Sequence, residues 1–332
     1  MDPRQASIER FKNDLDALVE PGARIGVAVS GGPDSLALLV LAAGSRLGSL
    51  ESATVDHALR PESRAEAEFV ARICESLGVR HTILTAEWDE MPDSALQERA
   101  RLMRYRLLGD WATGRGLTAL ITGHHLDDQA ETLLMRLARG AGVRGLAGMR
   151  RVARVPGAGI HVVRPLLGWR RSELEAVCAA AGLDPVRDPS NEDERFERVR
   201  VRKGLAQLGF LDLEALAASA EHLADAETAL DWAANVEWQR AVTAKNGEIA
   251  YRPSNAPREI RRRIAGRAIL ALASEGAADL RGREIDRIIA VLEAASQATL
   301  RGVLCSGGAE WRFTPAPPRR VSASAEIGAE ER

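Results

Sequence analysis

RIGVAVSGGPDSLALLVLAA, residues 24–43, joins three textures that together decide how the chain is read. Arg24–Val29 is a short β-branched run, the pattern of a buried strand. Ser35–Ala43 is apolar in the manner of a buried helix. Between them, Ser30-Gly31-Gly32-Pro33-Asp34-Ser35 turns strand into helix. Glycines let backbone N–H groups approach an anion, and a helix N-terminus adds partial positive charge. Ser30 and Ser35 add hydroxyl donors, and the Asp34 carboxylate suits a Mg²⁺ that bridges phosphate oxygens. The plainer reading is a glycine-rich turn with a helix cap. The loop lacks the lysine of GxxxxGK[ST], so kinase-type transfer of a terminal phosphate has little support.

Outward from this unit, strand and helix patterns alternate. Strands are expected at Ser52–Asp56, Arg80–Leu84, Thr118–Thr122 and His161–Leu166. Helices are expected over residues 1–23, Ser63–Leu77, Ser94–Arg115, Leu126–Ala138, Ser172–Ala181 and Glu192–Leu208. This rhythm implies an α/β fold with a parallel, doubly wound sheet covered on both faces. The α/β domain is expected to occupy residues 1–210, with Arg139–Gly159 a mobile loop rich in glycine and arginine. Residues 211–245 read as a connecting helix and residues 246–313 as a small α+β domain. Residues 314–332 read as a disordered tail.

The length of 332 residues suits two domains. Composition, 45% hydrophobic and 28% charged, rules out a wholly disordered chain. No apolar run approaches the span of a bilayer, and the polar N-terminus lacks a signal-peptide core, so a cytoplasmic protein with no membrane partner is expected. Cys74, Cys178 and Cys305 are scattered, with no CxxC pair, which argues against a zinc ribbon or an iron–sulfur site. The net charge is −2, unevenly spread: residues 136–172 hold nine arginines and no acid. Such a stretch attracts polyanions such as RNA.

Two further motifs fall where strands end, which in a doubly wound sheet is the ligand crevice. Asp56-His57-Ala58-Leu59-Arg60 offers Asp56 to a ribose or adenine edge and Arg60 to a phosphate, or is a surface turn. Gly123-His124-His125-Leu126-Asp127-Asp128-Gln129-Ala130-Glu131-Thr132 sets two imidazoles and three carboxylates at one edge. Capping accounts for one aspartate but not for two histidines. A metallohydrolase centre is the other reading of that cluster. In the long helix, Arg101 and Arg104 share a face, either toward ligand or toward solvent.

SGGPDS resembles the SGGxDS pyrophosphate loop of the N-type ATP pyrophosphatases. The ordered set SGGPDS, DHALR, the Arg-rich helix, GHHLDDQAET, RGAGVRGLAGM, RPLL and DPSNEDERFERVRVR is most similar to the tRNA(Ile)-lysidine synthetase family. It spans Arg24 to Lys203. One departure is Val199, where the family commonly has an amide side chain.

The resemblance implies ATP-dependent ligation of L-lysine to the wobble cytidine of tRNA(Ile) with a CAU anticodon, through an adenylated cytidine, so that the tRNA reads AUA and is charged with isoleucine. It implies that Ser30, Gly31, Gly32, Pro33, Asp34, Ser35, Asp56 and His125 bind ATP, with Mg²⁺ on Asp34. Asp34, Asp127, Asp128 and His124 are the catalytic candidates, and the base that takes the lysine proton is Asp127 or Asp128. Arg139, Arg144 and Arg150 are expected to face tRNA, in a loop that orders on binding. Arg195, Arg198 and Arg202 lie on one face of an expected helix, suited to phosphates or simply solvated. Trp169 is read as a base-stacking or a core residue, and an Arg258–Arg267 helix as a second tRNA contact. Alternatives are a tRNA thiolase of the same superfamily, which would need catalytic cysteines, and a non-enzymatic nucleotide-binding module.

Overall fold

The alternation of residue types in the strands decides which side of the sheet each helix covers. In the computed structural model, residues 3–59, 62–88, 96–154, 160–186, 192–253, 255–273, 280 and 282–317 are described. The chain divides into two units, residues 1–224 and 225–332.

The first unit runs α1 (Pro3–Asp16), β1 (Ile25–Ala28), α2 (Pro33–Arg46), β2 (Leu50–Asp56), α3 (Glu62–Ser76), β3 (Arg80–Thr85), α4 (Leu96–Gly114) and β4 (Ala119–Ile121). It continues with α5 (Leu126–Ala138), α6 (Val143–Leu146), β5 (Val152–Arg154), β6 (His161–Val163), α7 (Arg171–Ala180) and α8 (Glu197–Gln207). The sheet order is β3-β2-β1-β4-β6-β5, parallel except for β5 against β6. Ile25, Val27 and Val29 pack with Leu36, Leu39, Phe11 and Leu174 on one face. Ala53, Leu120 and Val162 pack with Leu108 and Trp111 of α4 on the other. Period-two alternation therefore separates two apolar clusters. Each fully buried leucine of α2 contributes roughly 1.5–3 kcal/mol of transfer free energy. The expected doubly wound fold is present, and β1 and β4 flank its switch point, where chain order reverses.

The second unit holds the C-terminal part of α9 (Leu213–Ala241), then β7 (Val242–Lys245), β8 (Glu248–Tyr251), α10 (Arg258–Leu272), α11 (Gly282–Glu293), β9 (Gln297–Leu300), β10 (Val303–Ser306) and β11 (Trp311–Pro315). Its antiparallel sheet has the order β7-β8-β11-β10-β9. Ile249, Tyr251, Val303, Cys305, Trp311 and Phe313 point into one core with Ile260 and Ile289 of the two helices. Tyr251 and Trp311 meet edge to face at 5.6 Å.

Several expectations change here. The connecting helix stops at Ala241, because Val242–Lys245 pairs with β8 across Asn246-Gly247. The strand β11 takes in Thr314 and Pro315, the first two residues of the expected tail. The expected mobile loop contains α6 and β5. The helix expected from Glu192 begins at Glu197, so Arg195 sits in the preceding turn, off the Arg198–Arg202 face. Trp169 is a core residue: its ring is buried, its Nε1 donates to Asp14 at 2.8 Å and the Arg10 guanidinium stacks on it at 4.1 Å. Four of the five arginines of α10 are paired inside the second unit: Arg258 with Asp286, Arg261 with Glu293, Arg262 with Glu259, and Arg263 with Glu227 and Asp231, while Arg267 stacks on Trp238 at 5.2 Å. Arg60, the Ser94 cap, the turn at 188–191 and residues 318–332 lie outside the described residues. No helix among the described residues is long and apolar enough to cross a membrane.

Candidate active site

Both strands at the switch point end in loops that line one cavity of about 620 Å³. The loop after β1 is held in shape by its own hydroxyls. Ser35 Oγ accepts from the Ser30 backbone N–H at 3.1 Å and from the Ser30 hydroxyl at 3.2 Å, and donates to the Gly32 carbonyl at 3.0 Å. These serines therefore staple the turn from within, and both line the cavity. Gly31 accepts a backbone bond from Val186 at 3.0 Å, while Pro33 opens α2 and its carbonyl accepts the Cys178 thiol at 3.3 Å.

Asp34 stands in the first turn of α2, with one carboxylate oxygen, Oδ1, buried and without a hydrogen-bond partner. Its other oxygen lies 3.5 Å from Nε2 of the fully buried His125. Burial alone would raise the Asp34 pKa. His125, Arg171 and Arg202 outweigh burial and hold the carboxyl below its ordinary value. Burial likewise would lower the His125 pKa, but Asp34 and Asp128 raise it above its ordinary value. Contrary to expectation, capping does account for one of the two histidines: His125 is itself the N-cap of α5, and it contacts Asp34 rather than lining the cavity expected to take ATP.

The neighbouring residues separate sharply. His124 lines the cavity and bonds Thr122 at 2.8 Å through Nδ1. Burial, then Arg164, Arg104, Arg101 and Arg198, keep its ring neutral, with a pKa well below the ordinary value. Asp128 also lines the cavity. Its carboxylate accepts the His125 N–H at 3.0 Å and Arg198 at 2.6 Å. Asp127 turns away to accept the Arg171 backbone N–H at 3.0 Å and Arg170 Nε at 3.2 Å, tying α5 to the start of α7. Asp56 is buried and accepts from Ala58 N at 2.9 Å and Ser63 Oγ at 2.6 Å, so it closes the turn before α3; its neighbour His57 lines the cavity.

Arg198 and Arg202 reach the cavity from α8 and bind Glu131 at 2.6 and 2.7 Å. Burial would raise the Glu131 pKa, but these arginines hold it below its ordinary value. Arg104 and Arg171 complete the basic lining. Elsewhere, Arg139 pairs with Glu197, Arg150 Nη1 donates to the Ala224 carbonyl at 2.8 Å, Arg195 pairs with Asp193 at 2.7 Å, and Arg144 is exposed. The structural importance of Glu131 was not legible in the sequence, because its partners come from a helix about seventy positions away. Cys74 and Cys178 are buried and neither lines the cavity; burial pushes the Cys178 thiol up to about 11.

Residues 3–208 match the PP-loop domain family. The chain is 48% identical to a tRNA(Ile)-lysidine synthase of Novosphingobium aromaticivorans over 94% of each chain. The corresponding synthase of Zymomonas mobilis is 41% identical over 90% of each chain. This chain belongs to the tRNA(Ile)-lysidine synthase family. A solved U34-tRNA thiolase, NcsA of Methanococcus maripaludis with its [4Fe-4S] cluster, shares the fold at 16% identity. The TM-score is 0.57, over 67% of this chain and 78% of that one. The lysidine synthase family thus accounts for both units, whereas the thiolase likeness is one of fold.

Proposed function

We propose that this protein joins L-lysine to the wobble cytidine of tRNA(Ile) bearing a CAU anticodon, consuming ATP and releasing AMP and pyrophosphate. One observation carries the reading. A chain that matches lysidine synthases along nine-tenths of its length sets an SGGPDS loop and an arginine-held carboxylate in one cavity. The modified tRNA reads AUA and is charged with isoleucine. The reaction is placed in the cytoplasm, with its tRNA.

The chemistry needs two displacements. The cytosine 2-oxygen attacks the α-phosphorus of ATP, the bond to the β-phosphate bridge breaks, and pyrophosphate leaves. The lysine ε-amine then attacks ring carbon two. The carbon–oxygen bond breaks, and AMP departs with that oxygen. A free ε-amine has a pKa of about 10.4, so its proton must be removed. Asp128 fits that task, because it lines the cavity and Arg198 fixes its direction. Backbone N–H groups of the SGGPDS loop, with Arg171 and Arg202, fit the departing pyrophosphate. The neutral His124 ring beside them is a hydrogen-bonding group for base or phosphate.

A divalent cation also fits. The unpartnered Oδ1 of Asp34 is a free oxygen ligand. No group of three His, Cys, Asp or Glu suited to a metal exists among the described residues. A Mg²⁺ here would complete its shell with phosphate oxygens and water, its usual habit. When bound it offsets charge on the phosphates.

The test is incorporation of labelled lysine into CAU-anticodon tRNA(Ile), with pyrophosphate release followed in parallel. Lysine incorporation that requires ATP and disappears in Asp34→Ala supports the ligase. Pyrophosphate release without lysine incorporation overturns it in favour of another nucleophile.

A further inference from the structure

The segment after α5, RGAGVRGLAGMR at residues 139–150, has the composition of a mobile loop, yet side chains grip it at successive carbonyls. The Gln129 amide spans Met149 completely: Nε2 donates to its carbonyl at 3.1 Å, and Oε1 accepts its N–H at 2.7 Å. Arg136, seven residues along the same helix, donates through Nη1 to the Gly145 carbonyl at 2.6 Å and the Gly148 carbonyl at 3.1 Å. Arg164 Nη1 donates to the Arg150 carbonyl at 2.6 Å. Gly148 lies against the Gln129 amide, where a Cβ would fall 2.6 Å from Oε1. Between these grips, α6 carries Arg144, exposed and with no ion pair among the described residues.

We infer that Gln129, aided by Arg136, is a positioning residue that holds residues 143–150 as a ready-made surface for the anticodon arm of the tRNA. The inference rests on the ligase reading for the identity of the RNA. The physical argument has two parts. Gripping backbone carbonyls fixes the path of the chain without spending its exposed side chains, so Arg144 stays available to phosphate. A segment already ordered also avoids the conformational cost of ordering during RNA binding. Gln129 and Arg136 are buried or half-buried on α5, the helix whose first turn carries His125 and Asp128. The RNA surface and the cavity are thus built on one rigid element.

The experiment is hydrogen exchange on the free full-length protein, paired with steady-state kinetics. In the wild type, the Met149 amide is protected although its acceptor is a side chain. In Gln129→Ala its exchange speeds by about tenfold or more, the equivalent of losing one or two hydrogen bonds, while β4 amides are unchanged. The KM for tRNA rises by a similar factor of about ten, with kcat and the Kd for ATP held, because only the RNA surface is loosened. Should Gln129→Ala fold poorly, Arg136→Met removes the two glycine carbonyl bonds and gives the same split. Unprotected Met149 in the wild type overturns the inference, as does an unchanged tRNA KM in both variants. A wild-type protein that ligates no lysine overturns the ligase reading instead, and the exchange result still decides whether the segment is preformed.

Discussion

Gly123 and Asp34 come so close that a Cβ on Gly123 would lie 2.9 Å from the Asp34 carbonyl oxygen and 3.2 Å from the Ser35 nitrogen. The loop after β4 is therefore pressed onto the first turn of α2, and the two motifs share one wall. Gly123→Ala must push Asp34 and the SGGPDS loop aside. Overpacking of this kind costs about 1–3 kcal/mol of stability, readable by denaturant unfolding. A shift of about 1 Å in the reacting groups costs about a hundredfold in rate. Lysine incorporation should fall by that larger factor, out of proportion to the loss of stability.

The two adjacent aspartates should part company on mutation. Asp127 holds the Arg171 N–H and Arg170, whereas Asp128 faces the cavity. Asp127→Ala is expected to cost about 1 kcal/mol, the worth of a helix cap, and to leave most of the ligation rate. Asp128→Asn keeps a capping oxygen but removes the proposed base, so kcat should fall at least about a hundredfold. Single-turnover lysine incorporation beside thermal unfolding separates these outcomes.

What was legible in the sequence follows from the range of the interactions. Strands β1 to β4 were legible because alternation and β-branching are local signals, and SGGPDS because its chemistry lies in contiguous residues. Residues 143–154 were misread as mobile because their order comes from Gln129, Arg136 and Arg164, side chains whose targets are set only by the fold. Asp127 and Asp128 could not be told apart, since neighbours in a helix's first turn point in different directions. The β7–β8 hairpin was missed, because helix-forming composition before Asn246-Gly247 outweighed the turn signal of that dipeptide. The bias toward arginine was real, and yet Arg198, Arg202 and four of the α10 arginines also pair with carboxylates of the same unit.

Glu131 should behave as the keystone between α5 and α8. It is buried and takes both Arg198 and Arg202. Breaking such a pair by removing one partner typically costs about 3–5 kcal/mol, and Glu131→Ala is expected at the lower end because both arginines keep some solvent access. The folded pKa lies below its ordinary value, so the contribution is fully present above about 4.3 and is lost as pH falls through the folded value. Urea unfolding between pH 3 and 6 (a range set by about that value) should show a steeper acid loss in wild type than in Glu131→Gln.

His81 adds to the acid loss for a different reason, a buried ring that refuses a proton. Its Nδ1 is 2.9 Å from Ser52 Oγ, its Nε2 is buried without a partner, and burial pushes its pKa down to about 4. Below the ordinary histidine value of about 6.5, the unfolded chain takes up a proton that the folded ring refuses. Stability therefore declines as pH drops from about 6.5 toward 4 and changes no further through this group below that. The ring is partly solvent-accessible, so the loss is about 1–2 kcal/mol after allowance for screening. His81→Asn should flatten the stability profile over that interval while leaving ligation at pH 8, well above about 6.5, unchanged. An equally sloped profile in the variant would assign the decline to other groups.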